Sequence, residues 1–272
     1  MPLPAAMLKR ARDFAGPPAP ARPAATVVLL RPQDKTFDVY VLRRASTMVF
    51  GGVYAFPGGG VDRDDRPQTI KQDWPERLGV PEAEAKAVVG AAARELFEEA
   101  GVLLAGPAAV VAPADDAGPA AAVALGDDGG GGLVGDVSGA DWEAERVAVQ
   151  RRELTMTELL ERRGLRLRDD LLLPWARWIT PEFEPKRFDT WFFVAVLPPA
   201  QTARDVSGEA DRTTWISPAD ANGLTMLPPT RVMLSDLCAY QGISDVWKAE
   251  RDAAAAVMPR VELTADGGVL VI

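Results

Sequence analysis

Short β-branched, apolar runs flank the chain's most strongly helical stretch. Thr26-Val27-Val28-Leu29-Leu30 and Asp38-Val39-Tyr40-Val41-Leu42-Arg43 are two such runs on either side of the turn-forming Pro32-Gln33-Asp34, which predicts a β-hairpin. Phe50-Gly51-Gly52-Val53-Tyr54-Ala55-Phe56 predicts a short strand entering a tight loop at Pro57-Gly58-Gly59-Gly60, where glycine permits positive φ and close approach of the backbone to a ligand. From Pro81 to Ala100 strong helix formers dominate. Pro81 suits a first turn, Glu82 and Glu84 suit the positive end of the macrodipole, and Gly101 suits the position just past the end. A second helix is expected from Asp141, as its cap, to about Arg163, with Glu143, Glu145, Arg151, Arg152, Glu161 and Arg162 on its solvated face. Trp175–Ile179 and Phe188–Leu197 read as another strand pair, and Trp215-Ile216-Ser217-Pro218 as a strand running into a helix start. Helices at residues 230–240 and 244–257 and a short apolar tail at Val269–Ile272 complete the expectation.

Between these elements the composition changes. Leu103 to Gly139 is an Ala, Gly, Pro and Asp stretch, poor in large apolar groups, which predicts a flexible surface insertion. Lys9, Arg10 and Arg12 followed by Pro17, Pro18, Pro20 and Pro23 predict a short helix and a proline-rich arm rather than a signal peptide. The expected organisation is an arm at 1–24, a domain at 25–242 with insertions at about 66–80 and 104–174, and a C-terminal helix and tail at 243–272 packed on that domain.

Composition then narrows the chemistry. With 272 residues, 47% of them hydrophobic and 25% charged, the chain is long enough for a sizeable core. A net charge of −9 is the wrong sign for a broad nucleic-acid-binding face. A polyanionic substrate must therefore be met by a local device such as a bound divalent cation. The absence of histidine excludes His-based triads, imidazole bases and nearly all His-ligated zinc sites, so acid, base and metal work falls to carboxylates. The single Cys238 permits no intrachain disulfide, and no apolar run approaches the roughly 18 residues of a membrane span, so a cytoplasmic protein with no membrane partner is expected.

The chemically densest string is Arg94-Glu95-Leu96-Phe97-Glu98-Glu99-Ala100-Gly101-Val102, at the end of the predicted helix. Glu95, Glu98 and Glu99 stand at i, i+3 and i+4 and project from one face. Like charges at this spacing repel by roughly a few tenths of a kcal/mol per pair, and they lie at the negative end of the helix. A hard cation such as Mg²⁺ or Mn²⁺ would turn that repulsion into a site. Arg43 and Arg44 close the second strand, and Lys186 with Arg187 precedes a later one. Either pair could clamp a diphosphate or simply be surface charge. Phe50, Tyr54 and Trp178 are open to either an adenine-stacking or a core role. No phosphate-binding P-loop or dinucleotide fingerprint is present.

The string Arg-Glu-apolar-x-Glu-Glu-x-Gly-apolar resembles the second half of the Nudix box, the signature of Mg²⁺-dependent hydrolases of nucleoside diphosphates linked to another group. The first half matches only with an insertion. If Gly59 is the box glycine, Asp65 stands where the early glutamate belongs, and 28 residues rather than seven separate it from Arg94. This split box, with Trp178-Ile179-Thr180-Pro181, Arg187-Phe188-Asp189-Thr190 and Trp215-Ile216-Ser217-Pro218, is similar to the peroxisomal-type coenzyme A diphosphatases and their bacterial relatives over about residues 25–240.

The resemblance implies an α/β/α sandwich with a mixed sheet, a helical insertion and C-terminal helices. It implies that Glu95, Glu98 and Glu99 bind Mg²⁺ or Mn²⁺, helped by a carbonyl of Gly59 or Gly58, while Arg94 orients a glutamate. The general base is Glu95 or Glu99 within the box, or Glu209 outside it. Arg43, Arg44, Gly58, Gly59 and Arg187 are the expected substrate-binding set. The implied reaction splits coenzyme A or acyl-CoA into a phosphopantetheine product and adenosine 3′,5′-bisphosphate. Alternatives are hydrolysis of NADH, ADP-ribose or a nucleotide sugar, and a non-catalytic ligand sensor. The partner is thus a small nucleotide, with no nucleic acid, and homodimers are common among such relatives. The end Val269-Leu270-Val271-Ile272 is no peroxisomal address, which keeps the cytoplasm as the expectation.

Overall fold

The computed structural model describes residues 5–47, 51–108, 132–264 and 267–272. The predicted hairpin is there, as β1 (Ala21–Gln33) and β2 (Thr36–Arg44). β1 starts at Ala21, inside the expected arm, because it has a second partner to satisfy. It runs parallel to β8 (Arg187–Val196) from the pair Ala21↔Arg187 onward. β3 (Tyr54–Ala55) is a short edge strand, and Phe50 lies outside the described residues. The glycine loop is itself a strand, β4 (Gly58–Gly60), antiparallel to β1 with Thr26↔Gly58 and Ala25↔Gly59. β7 (Leu173–Ile179) pairs antiparallel with β8, and β9 (Ala210–Ile216) with β2. The resulting order is β10-β7-β8-β1-β2-β3, where β10 is Ala256–Val257.

Alternation along β1 sends side chains to both faces of this mixed sheet. Ala25, Val27 and Leu29 join one core, with Trp74, Phe97, Trp191 and Phe193. Val28 and Leu30 join the other, with Val41, Phe192, Met233 and Leu237. The first face is covered by α3 (Glu82–Ala100), and the second by α6 (Pro228–Leu237) and α7 (Ile243–Trp247). A mixed sheet between helical layers is the expected α/β/α sandwich.

α3 is buried on all sides from Val88 to Ala100, so it is a central element rather than a surface amphipathic helix. Gly101 ends it in a left-handed conformation, φ 64°, with its N–H donating to the Phe97 carbonyl. α1 (Ala5–Asp13) and α2 (Trp74–Leu78) precede it in the chain. Trp74 is fully buried and meets Phe193 edge-on at 5.9 Å, so part of the insertion near 66–80 belongs to the core.

Three expectations are corrected. Leu103, Leu104 and Ala105 at the front of the Ala/Gly-rich stretch are buried, and β5 (Ala105–Pro107) pairs with β6 (Leu165–Leu167); residues 109–131 lie outside the described residues. The single helix expected from Asp141 to Arg163 is two, α4 (Ala140–Gln150) and α5 (Met156–Arg162), with Gly139 rather than Asp141 at the first N-cap. Thr155 restarts the helix through a capping box. Its hydroxyl accepts from the Glu158 N–H, and the Glu158 carboxylate accepts from the Thr155 N–H at 2.9 Å. The expected helix at 244–257 stops at Trp247, and the chain turns back as β10 beside β7. The apolar tail forms a separate hairpin of β11 (Arg260–Thr264) and β12 (Gly267–Val271).

Candidate active site

Glu95, Glu98 and Glu99 stand on the last two turns of α3, Glu95 and Glu99 against β4, and all three are at least nine-tenths buried. The contact with β4 is too close for a side chain on the strand. A Cβ on Gly59 would stand 2.5 Å from Glu95 Oε1, and one on Gly58 would stand 2.6 Å from the Ala25 carbonyl oxygen. The glycines here serve close approach in extended backbone, and the expected positive φ is not used. The Gly58 N–H donates to Glu99 Oε2 at 2.8 Å, fixing that carboxylate against the strand.

Arg94 supports the group from beneath. It is 3% exposed, and its Nε and Nη2 grip Asp65 at 2.7 and 2.9 Å. Its Nη1 donates to Glu95 Oε1 at 2.7 Å and to Glu98 Oε1 at 3.2 Å, and its Nη2 reaches the Gly60 carbonyl at 2.8 Å. Asp65 thus closes the split motif: an acid far away in sequence returns to hold the box arginine in a bidentate pair. Gly90, one turn earlier on α3, makes this return possible. A Cβ there would stand 2.9 Å from Pro67 Cδ and 3.0 Å from the Asp65 backbone.

Burial dominates the electrostatics. Desolvation lifts Glu95 to about 7, opposed by Arg94 and reinforced by the Glu98 charge. Burial and then the Glu95 charge hold Glu99 well above the usual carboxylate range, against the Gly58 N–H; the Glu209 charge adds to this, and Arg44 opposes it. Burial alone would lower Arg94, but its carboxylate partners win and hold it above the ordinary arginine value.

The remaining predicted residues divide. Arg44 and Glu209 lie within electrostatic reach of Glu99. The Glu209 carbonyl accepts from the Ala45 N–H at 2.8 Å, which ties the loop before β9 to the end of β2. Arg44 is half-buried, and its Nε has no hydrogen-bond partner among the described residues. Arg43 is committed elsewhere, with Nε and Nη2 on Asp211 at 2.6 and 2.9 Å. Arg187 is not gathered into the group. It is buried, and its guanidinium is spent on the Thr180 carbonyl at 3.0 Å, the Ala19 carbonyl at 2.8 Å and Met258 Sδ at 3.5 Å. Tyr54 and Trp178 lie in the core and offer no stacking face.

Two arginines were not foreseen at the site. Arg146 is 2% exposed and donates to the Glu98 carbonyl at 2.8 Å, meeting the negative end of α3. Arg152, expected on a solvated helix face, lies in the link between α4 and α5, and its Nη1 reaches Glu98 Oε1 at 2.5 Å. The Thr155-x-x-Glu158 capping signal would have marked that link, since a helix that restarts at Thr155 cannot run unbroken through Arg152.

In its chemistry this donor set fits a hard divalent cation: oxygen donors only, buried acids crowded on one face, and raised carboxylates that an added positive charge would relieve. In detail, Glu95 and Glu98 turn oxygens to guanidinium groups. Among the described residues no three acids converge as ligands on a single point.

The arrangement can be compared with known folds. No family model matches the chain. The crystal structure of a NUDIX hydrolase from Alicyclobacillus acidocaldarius superposes with a TM-score of 0.62 and 26% sequence identity, covering 86% of this chain and 99% of that one. The chain belongs to the Nudix superfamily. Among more remote likenesses, the NUDIX domain of Shewanella oneidensis NrtR, solved with ADP ribose, has a TM-score of 0.40 and 12% identity over 87% of this chain and 98% of that one. A MutT protein from Methanosarcina mazei Go1 has a TM-score of 0.39 and 12% identity over 81% and 94%. No helix among the described residues of this Nudix chain is long and apolar enough to cross a membrane.

Proposed function

We propose that this Nudix protein is a divalent-cation-dependent hydrolase of nucleoside diphosphate derivatives, with coenzyme A or acyl-CoA as substrate. The observation that carries the reading is the buried acidic trio at the end of α3, with Glu95 and Glu99 against Gly59 and Gly58, where burial raises both with too little positive charge to offset it. The likeness to a Nudix hydrolase across nearly all of that chain supports hydrolysis of a diphosphate linked to another group. The choice of coenzyme A rests on the split box and on the Trp178-Ile179-Thr180-Pro181 and Trp215-Ile216-Ser217-Pro218 strings.

Glu95, Glu98 and Glu99, with the Gly59 carbonyl, would hold Mg²⁺ or Mn²⁺. Such an ion supplies charge neutralisation at the diphosphate and a lowered pKa for water. The chain's own residues do the placing. Asp65 fixes Arg94, Arg94 fixes Glu95, and the Gly58 N–H fixes Glu99. A proton leaving the attacking water can pass to Glu95 or Glu99, and Glu209 at the rim is the outer candidate. Arg44, half-buried and within electrostatic reach of Glu99, is the predicted cation closest in character to a phosphate clamp.

Mass spectrometry of products from coenzyme A, NADH and ADP-ribose with Mg²⁺ in H₂¹⁸O tests this directly. Adenosine 3′,5′-bisphosphate and a phosphopantetheine product, one carrying ¹⁸O, is the expected outcome. Preference for NADH or ADP-ribose would replace the coenzyme A assignment. Failure to turn over any of them while Mn²⁺ binds would end the hydrolase reading.

A further inference from the structure

Arg152 stands out on three counts. Its backbone is left-handed, φ 62°, a conformation that favours glycine and is uncommon for a long side chain. It occupies the position after the α4 C-cap Arg151, where glycine is the usual residue. Its side chain is 44% exposed, yet it makes one of the shortest ion pairs among the described residues, 2.5 Å to a glutamate that is itself only 7% exposed. An outlier of this kind beside a candidate site is where strain is retained for a purpose.

The geometry shows what the side chain does. Nε donates to Asp62 Oδ2 at 2.7 Å, and Nη1 donates to Glu98 Oε1 and to the Val149 carbonyl at 3.0 Å. Glu98 Oε1 therefore receives two guanidinium groups, Arg152 at 2.5 Å and Arg94 at 3.2 Å. These two are not equivalent. Arg94 is 3% exposed and locked by Asp65, whereas Arg152 hangs from an exposed link and lines the same cleft as Asp62, Asp65 and Arg94. If Glu98 is to accept a cation through that oxygen, Arg152 is the group free to leave.

Resting on the function proposed above, we infer that Arg152 is an exchangeable positioning residue. It holds Glu98 until a divalent cation takes that oxygen, and its guanidinium then turns to the substrate's diphosphate. Geometry and chemistry favour this second partner: the displaced group stays anchored at Asp62 on the wall of the cleft it shares with Arg94, and its guanidinium fork matches phosphate oxygens. The exchange makes cation and diphosphate binding mutually supportive, since each relieves a cost of the other.

The test uses the full chain with Arg152→Gly, which suits the left-handed backbone and so keeps the fold, and Arg152→Lys, which keeps charge without the fork. Arg151→Gln removes a neighbouring exposed charge that has no contact with Glu98 and reports the general field. Mn²⁺ affinity is read by electron paramagnetic resonance without turnover, then KM and kcat for the diphosphate at saturating Mg²⁺. Arg152→Gly should bind Mn²⁺ several-fold more tightly than wild type, with KM raised about tenfold and kcat changed far less. Arg152→Lys should fall between the two, and Arg151→Gln should match wild type. Unchanged or weaker Mn²⁺ binding in Arg152→Gly, equal tightening in Arg151→Gln, or tightening with no change in KM would each overturn the inference. A wild-type protein that binds no Mn²⁺ would instead strike at the proposed function.

Discussion

Gly59 has no room for a methyl group, because its absent Cβ position lies 2.5 Å from the tip of Glu95. Glu95 can swing, so Gly59→Ala should keep the fold while displacing that carboxylate, with turnover falling far more than melting temperature. Gly58 differs, since its Cβ would meet backbone of β1 as well as the Thr26 hydroxyl. Gly58→Ala should therefore cost about 1–3 kcal/mol of stability, measured by urea unfolding. Asp65→Asn removes one carboxylate from buried Arg94 while Glu95, Glu98 and the Gly60 carbonyl remain, which predicts a loss of about 1–3 kcal/mol. At this scale the acidic face of α3 was legible, because helical spacing alone puts 95, 98 and 99 together. The Asp65–Arg94 pair was visible only as a misfit in spacing. The roles of Arg146 and Arg152 were not visible, because a charge on a helix face reads as solvated unless the partner helix is known.

At the scale of elements, the break between α4 and α5 is what brings Arg152 to Glu98. Thr155→Ala removes the cap, and should cost about 1 kcal/mol in thermal or urea unfolding. α2 is docked by Asp169, whose Oδ2 accepts from Trp74 Nε1 at 2.6 Å and from the Lys71 N–H at 2.7 Å. Burial, the largest influence, raises Asp169 above its usual value despite these bonds. Its contribution is then fully present below the unfolded carboxyl pKa of about 3.9 and is lost as pH rises through the folded value. Asp169→Asn keeps the acceptor and cannot ionise. Its melting temperature should gain on wild type between pH 4 and pH 7, and a loss over that range would contradict the assignment. Propensity misled most at residues 244–257. The alanine-rich stretch suits a helix, but the open edge of β7 takes Ala256 and Val257 as β10, and Arg251 stacks on Trp175 at 4.1 Å while pairing with Asp236.

Across the whole molecule, the fold does one thing for the site: it holds a central helix end against a glycine strand from a different part of the chain. β1 is the hinge of that arrangement, pairing with β4, β2 and β8, and sending alternate side chains into two cores. The hairpin, the helix and the later strand pair could be read from periodicity, which is local. The three-way pairing of β1 and the return of Asp65 across Gly90 could not, because they depend on contacts distant in sequence. The central claim is that the buried trio binds a divalent cation and that hydrolysis depends on it. Parallel Mn²⁺ titration and Mg²⁺-dependent turnover of wild type, Glu98→Gln and Glu99→Gln, with circular dichroism to verify the fold, tests it most directly. The account predicts weakened Mn²⁺ binding and at least about a 100-fold loss of turnover in both variants with unchanged spectra. Wild-type turnover in either folded variant would contradict it.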